Sequence, residues 1–597
     1  MEKVSGNWKG NQSRTIANES FIEISLGIAD PEALADASAT DNGALYFSNT
    51  SQVVSEVDRN IPPYATLEQN LWVLDGGRKV LPVSNVGDTG FISNAFCDDY
   101  GVFNPSPMVT VSFSRVHTNP IPAITIVWGE VYGEYAEDFT VKVYKENKVV
   151  AEQTVRGNKS VKSVVRMDID AYDKVTIAVN KWCLPRHRAR ISDIYVGLKK
   201  VYSKADIFSY NHTQTVDPVS TSLPKAEVSF SVDNSDATYD LFNKEGLAEY
   251  IMERQEVKTR YGYKLNDGVE WIRGGTFYLS EWGNTQNNSQ TEFKARDMLE
   301  FMSALVYDGM FDPNGVSLYS LAEKLFEKAN LPLSGDGTVK WVIDESLKSI
   351  YTTAPLPIDT IANCLQLIAN AGGCVFYQDR GGKLHIEPFN GEVHEDYTIN
   401  NTNSYSKPEI TLSKPLKQVN ISAYHYFEEE DVSELYKGSL TLSETSEMWI
   451  TYSDRAVEVA AVAENGIIES AEYYTNACKL KITPNSTEET VSITVSGKLL
   501  KSSKTDMVTQ GGAKGEEVSL DNPLITDLGR ASIIGAWVME HLGNRMSISP
   551  SWRADPRLDV LDIVRVQLGN DTYDTRLTDV NFTYNGAFRG TAEGKVK

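Results

Sequence analysis

Cysteine and histidine are scarce in this chain, with five and seven among 597 residues. Cys97, Cys183, Cys364, Cys374 and Cys478 are odd in number and none stands at C-x-x-C spacing, so neither a disulfide scaffold nor a zinc site is indicated. No apolar run approaches the length needed to cross a bilayer, and the start, MEKVSGNWKGNQSR, lacks the apolar core of a signal peptide. The expectation is a protein made and folded in a cytoplasm, with no stable membrane association. Also missing are HExxH, GxSxG, GxxxxGKS and a GxGxxG after a strand, so the standard metal, acyl-transfer and nucleotide sites have no support. No catalytic, cofactor-binding or metal-ligating residue is assigned, and no enzyme activity is expected. Basic residues are outnumbered too, 57 Lys and Arg against 81 Asp and Glu, a formal charge of −24. A chain of that charge repels phosphates, and no Lys/Arg cluster is dense enough to override it, which excludes sustained nucleic-acid binding.

What is present points to strands. The length exceeds what one core organises and implies about three to five domains. The 29 Tyr and 10 Trp, with frequent Val, Ile and Thr, favour β structure. In SFIEISLGI, Ile22, Ile24, Leu26 and Ile28 alternate with Glu23, Ser25 and Gly27, the period of a half-buried strand. A lone strand cannot bury its apolar face, so its partner comes from the irregular stretch at 30–88 or from a later domain. From about 89 to 200, Val109, Val111 and Phe113, then Ile124, Ile126 and Trp128, then Phe139, Val141 and Val143 alternate with polar residues, the spacing of an antiparallel sandwich.

A second strand-rich unit spans about 205–305. SLYSLAEKLFEKANL then puts Leu318, Leu321, Leu325 and Phe326 on one helical stripe after an N-capping Ser317. IDTIANCLQLIANAG predicts a helix capped by Asp359 and stopped at Gly372, followed by the hairpin CVFYQDRGGKLHIEPF. Strands return from 405 to about 500, broken by an acidic loop at FEEEDV. DMVTQGGAKGEEVS reads as a linker or long loop, and a helix at 527–543 precedes the closing strands.

Chemistry is sparse. Asp98-Asp99 and Glu428-Glu429-Glu430 are adjacent carboxylates on one loop, which cannot flank a glycosidic bond and read as solvated charge. Cys364 and Cys374 are assigned to packing. The most basic local stretch, KWCLPRHRARISDIYVG, leaves two readings open: a solvent-exposed loop with a packed Trp, or a glycan-binding end of the sandwich. In the second, Trp182 would stack on a sugar that Arg186 and Arg188 hydrogen-bond.

Two resemblances add to these readings. TGFISNAFCDDYGVF, PSPMVTVSFSRVHT, ITIVWGEVYGEYAEDFTVKVY and ARISDIYVG resemble, in order, the galactose-binding-like, discoidin-type jelly roll. Over about 205–597 the chain resembles the tail-tip or baseplate hub proteins of phages and related contractile injection machines, also called tail-associated lysin-type hubs. The strings are VSFSVDNSDATYDLFN with RQEVKTRYGY and GGTFYLSEW, then the helix and hairpin above, then SWRADPRLDVLDIVRVQL with TRLTDVNFTYNGAFRGTAEG, and their order carries the likeness.

The resemblance implies a mainly β, multidomain chain with α+β parts: tube-like β-barrel domains plus a jelly-roll β-sandwich. In that frame 1–42 opens the first barrel, 43–204 holds a linker and the sandwich (core about 89–200), 205–305 is the first tube-like barrel, 306–404 an α+β domain, 405–524 a β domain and 525–597 the second barrel. Barrels are expected near 12–42 plus 205–305 and near 405–430 plus 525–597. A homotrimer would then imitate the six-fold tail tube. Its partners would be the tail tube, distal tail and tape-measure proteins, spike or receptor-binding fibre proteins and host cell-wall polysaccharide, with DNA only passing through the channel. It would sit at the distal end of the virion tail after assembly in a host cytoplasm. Since the sequence ends at Lys597, just after the last barrel strands, wall-degrading activity is expected in another polypeptide. The rivals are a secreted or surface glycan-binding protein built of β modules, and a glycoside hydrolase with an appended carbohydrate module.

Overall fold

The computed structural model describes residues 2–54, 64–69, 71, 81, 90–266, 268–284, 289–329, 331, 339–389, 391 and 393–597. Much of the irregular stretch read at 30–88 lies outside the described residues.

The centre of the molecule is one fourteen-stranded sheet. Strand Ser20–Ala29 buries Ile22, Ile24, Leu26 and Ile28 as its alternation requires. Its partners are both later in sequence: Gly197–Ser203 on one edge and Glu256–Leu265 on the other. The sheet continues through Gly268–Asn284, Gln290–Arg296, Lys225–Asp233 and Ile207–Thr215, then crosses to Asp571–Tyr584, Phe588–Val596, Met546–Ser549 and Glu409–Leu412. Ile563–Leu568 pairs with Asp571–Tyr584 and carries Val393–Ile399 beside it. The two sets of tube-like strands are therefore halves of one open sheet, joined where Ile207–Thr215 meets Asp571–Tyr584. Among the described residues no hydrogen-bonded barrel closes. The core beneath is aromatic, with Trp8, Tyr261, Phe277, Phe293, Trp552, Phe582 and Phe588 all buried.

Two large excursions leave this sheet, and register shows how. Ala29 lies opposite Gly197 at the end of an antiparallel pair, so everything between them is a loop on that hairpin. That loop is the sandwich. Five strands (Ser38–Asp41, Met108–His117, Tyr172–Trp182, Ala136–Lys145, Lys148–Val155) face three (Asp193–Tyr195, Ile121–Val127, Lys162–Ile169), with a pair, Phe91–Phe96 and Arg188–Ile191, at one end. Trp128 is buried between the faces against Phe139 and Trp182. Tyr195 packs so close to Gly27 that a Cβ there would collide with its ring, and this fixes the sandwich to its stem.

The second excursion is a ribbon of Leu416–Leu442 against Glu489–Gln510, with Leu442 opposite Glu489 and 443–488 folded as a small β unit at its far end. Two sequence readings are corrected here. The FEEEDV segment is no loop; it stays in one long strand and is absorbed as a register shift between Glu428 and Val432. The DMVTQGGAKGEEVS stretch is mostly strand, because the strand from Leu416 pairs on both sides, with Gln510 and its predecessors and with Glu516–Leu520. Of the span 405–430, Glu409–Leu412 joins the central sheet, whereas the chain from Leu416 belongs to the ribbon's sheet.

Between sheet and ribbon lie helices Leu318–Lys328 and Ile361–Ala371 with the hairpin Cys374–Gln378 and Leu384–Pro388, and helix Leu528–Gly543 packs on the same core. Ser317 caps the first helix through Ser320 N–H. The second is capped by Thr360 rather than Asp359, whose carboxylate instead takes the Thr360 N–H and the Asn363 side chain. Cys364 and Cys374 are buried free thiols in this core, pushed up to about 12 by burial.

Because Ala29 and Gly197 are paired neighbours, replacing 30–196 by a short Gly-Asn turn is expected to leave the remaining chain folded. A single lost transition in differential scanning calorimetry checks this; collapse of every transition would show the sandwich to be integral to the sheet.

Candidate functional site

The sequence reading puts its candidates at one end of the sandwich. There the turn after Tyr172–Trp182 brings Arg186 to a left-handed φ of 58°, a backbone state that non-glycine residues adopt at a cost. The turn is held because Arg186 N–H donates to Asp98 O at 3.2 Å and the guanidinium forks onto Asp99 at 2.6 and 3.0 Å. Arg186 is exposed. Arg188 is half-buried, lies 4.0 Å over the Phe96 ring and donates through Nη1 to Ser93 O at 2.9 Å and to Asn94 O. Trp182 is only 1% exposed, and its indole N–H donates to Glu134 at 2.8 Å. Of the two readings left open for Trp182, the packed ring is what the structure contains, and no face is free for a sugar. Asp98 accepts the N–H groups of Tyr100 and Val102, each at 2.8 Å, and so shapes the loop that leaves Tyr100 82% exposed.

The sequence reading missed what lies beneath. Arg190, four residues past Arg186, is buried and forks onto Glu68 at 2.7 and 2.6 Å. Glu68 also accepts Arg188 N–H at 2.8 Å. His187 donates through Nε2 to Gln69 O at 2.6 Å, and its Nδ1 lies 2.9 Å from Glu134. Burial would raise the Glu68 carboxyl, but Arg190 holds it below the usual range. Burial would lower His187, yet Glu134 raises it. The R-A-R-I alternation was a signal for Arg190, since residues two apart in a strand share a face. Glu68 had none, lying in a stretch without periodicity.

A second concentration of charge lines a cleft of about 640 Å³ between the central sheet and the 374–388 hairpin. Arg380 is buried there, donating to Asp559 at 2.8 Å, to Arg273 O at 2.7 Å and to Leu558 O at 3.1 Å. His385 sits 3.1 Å from Asp379 and 3.7 Å from Glu387. Burial opposes its charge, but the two carboxylates raise it to about 9. His394 is 2.7 Å from Asp562. Burial lifts Asp297 to about 7 although Ala226 N–H donates to it at 2.9 Å. Asp559 meets Arg380 of the hairpin across the seam and Asp562 meets His394, whereas Asp379 and Glu387 meet His385 within the hairpin itself. Among the described residues no cluster of three His, Cys, Asp or Glu is placed to hold a metal.

No family model matches the chain, and no curated protein does. Among solved structures it is similar to the 43 kDa tail protein of prophage MuSo2 from Shewanella oneidensis (11% identity, 66% of this chain and 95% of that one, TM-score 0.37). It is similar to a tail protein from Neisseria meningitidis MC58 (9% identity, 67% and 93%, TM-score 0.37). The family 32 carbohydrate-binding module of C. perfringens NanJ, solved with galactose, matches 30% of this chain and 99% of its own at 10% identity and a TM-score of 0.19. The chain's own architecture is mainly β and multidomain. At TM-scores below 0.5 these likenesses carry no argument about its activity.

Two outcomes follow. Trp182→Ala is expected to lower unfolding stability by about 3–5 kcal/mol, as loss of a buried aromatic does, whereas Arg186→Ala should leave the unfolding midpoint nearly where it was; denaturant titration separates them. For Asp297, the folded state keeps its proton up to about 7 while the unfolded state loses it near the ordinary carboxylate value of about 3.9. Stability therefore falls as pH rises through that window. Asp297→Asn should melt with the parent at pH 4 and above it at pH 8.

Proposed function

We propose that this chain is a structural, non-enzymatic hub at the distal end of a phage-like tail. It caps the tail tube, adapts its symmetry to a spike or fibres below, and uses its sandwich to contact host surface glycans. The observation that carries the reading is the join between Ile207–Thr215 and Asp571–Tyr584, which welds two sets of tube-like strands from distant parts of the sequence into one curved wall. Two such sets per chain are what a homotrimer needs to face a six-fold tube, as the order of hub-like sequence strings implies. The helices, hairpin and ribbon share a core of their own and would offer surfaces to neighbouring tail proteins. Obligate contacts of that kind bury large, apolar-centred areas. Tail tube, distal tail and tape-measure proteins would contact one end and spike or fibre proteins the other, with DNA only passing through, and the site of action would be the virion after assembly in a host cytoplasm.

For glycans the supporting features are the exposed Tyr100 ring beside the Arg186–Asp99 pair and the Arg188–Phe96 stack, which together keep Arg186 and Arg188 as candidates while Trp182 serves as a packed ring of the sandwich core. The same features favour a second reading, a surface or secreted glycan-binding protein built of β modules.

Light scattering after size exclusion separates the two. The hub is expected at three times 66.3 kDa. A monomer at every concentration that is retarded on immobilised polysaccharide would overturn the hub in favour of the second reading.

A further inference from the structure

The end of the sandwich holds a built carboxylate site that the chain fills with its own side chain. Glu68 belongs to no strand of the sandwich. It arrives on the segment 64–69, between Ser38–Asp41 and Phe91–Phe96, and inserts with 0% exposure. Its two oxygens receive three N–H groups: Arg190 Nη1 at 2.7 Å, Arg190 Nη2 at 2.6 Å and Arg188 N at 2.8 Å. The neighbouring Gln69 carbonyl takes His187 Nε2 at 2.6 Å. Behind these donors stand Glu134, 3.7 Å from Arg190, and the Tyr132 ring, 4.8 Å from the guanidinium. Arg190 Nε is buried with no acceptor among the described residues, so the site has hydrogen-bonding capacity that Glu68 does not use. Leu67, next to Glu68 in sequence, is 80% exposed, and Tyr100, on the loop whose Asp98 carbonyl takes Arg186 N–H, is 82% exposed.

A planar guanidinium meeting a carboxylate through two parallel bonds is the geometry of anion recognition. As a purely structural device it is a poor choice, because a buried ion pair gains little over apolar packing of the same volume. The sandwich's own strands supply the donors, and the carboxylate that meets them comes from a segment outside any strand. We propose that the Arg190, Arg188 and His187 site recognises the carboxylate of an acidic saccharide such as a hexuronate, with Tyr100 on the sugar face, and that Glu68 is an internal surrogate displaced on binding. The inference rests on the reading of the sandwich as a saccharide-contacting module.

The surrogate predicts a gain of binding when it is removed. Calorimetric titration of the full-length chain, of Glu68→Gln and of Glu68→Ala would use oligogalacturonate and, in parallel, a neutral galactose oligomer. Both variants are expected to bind the acidic oligomer at least tenfold more tightly than the parent and the neutral oligomer no differently. Glu68→Gln keeps the volume and an acceptor for Arg188 N–H, so it reads the effect even if Glu68→Ala unfolds. Neutral binding without any dependence on position 68 overturns the surrogate while leaving the saccharide-contacting module standing. Absence of binding to either oligomer by all three proteins overturns both.

Discussion

Strand Ile207–Thr215 is committed on both edges, to Lys225–Asp233 on one side and Asp571–Tyr584 on the other, and the larger architecture depends on that double pairing. A strand with two hydrogen-bonded neighbours and an apolar face below has no register to slip into, since a shift of one residue would turn its buried set to the opposite face. The residues that would be turned include an unusual one. His212 is buried in the middle of this strand among Tyr261, Phe277 and Phe582, with its Nδ1 2.9 Å from the Tyr261 hydroxyl. Burial holds its pKa down to about 3, so the ring is neutral across the physiological range and acts as a packed aromatic with a polar tether. Tyr210 and Tyr261 share a hydrogen bond at 2.5 Å beside it. A slip would strand these polar atoms without partners, which costs more than the lost apolar contacts alone.

The same seam is sealed from outside by Arg380. Its guanidinium reaches two segments far apart in sequence, at Arg273 and at Leu558–Asp559. Such a clamp adds little net stability over apolar packing, but it makes every wrong arrangement expensive, because an unpaired buried guanidinium is costly. At the termini a comparable tie joins Trp8 to Tyr263, with ring centroids 5.0 Å apart, and Arg553 to the carbonyls of Gln12 and Thr15. The chain therefore begins and ends in the same wall, and both excursions leave it as loops on paired strands.

How much of this was legible follows from the range of each interaction. The Ser317 cap, the stop at Gly372 and the alternation at Ile22, Ile24, Leu26 and Ile28 are local, and reading them required only neighbours. The sandwich was legible because its strands are consecutive. The FEEEDV and DMVTQGG stretches were misread because their polarity argues for loop when the strand is seen alone. What makes them strands is pairing with distant partners: FEEEDV is carried by the ladder of Leu416–Leu442 to Glu489–Gln510, and the ends of the DMVTQGG stretch by their pairing with the start of Leu416–Leu442. Glu68 was illegible for the same reason in sharper form. A single carboxylate in an aperiodic stretch acquires its role only from Arg190, which stands 122 positions away.

Placement of polar burial then separates the two parts of the molecule. In the wall, buried polar side chains such as Tyr210, His212 and Tyr261 hydrogen-bond one another from strands that the sheet already fixes, so they gain uniqueness of register. At the sandwich end, the donors sit on Arg188–Ile191 while their acceptor comes from a segment outside any strand. Groups held by rigid strands and satisfied by a peripheral segment can exchange that partner without breaking a ladder. The hydrogen-bonding demand of Arg190 stays constant whichever carboxylate meets it, and only the ordering of 64–69 changes. That asymmetry, rigid donors facing a replaceable acceptor, is the arrangement in which recognition costs the fold least.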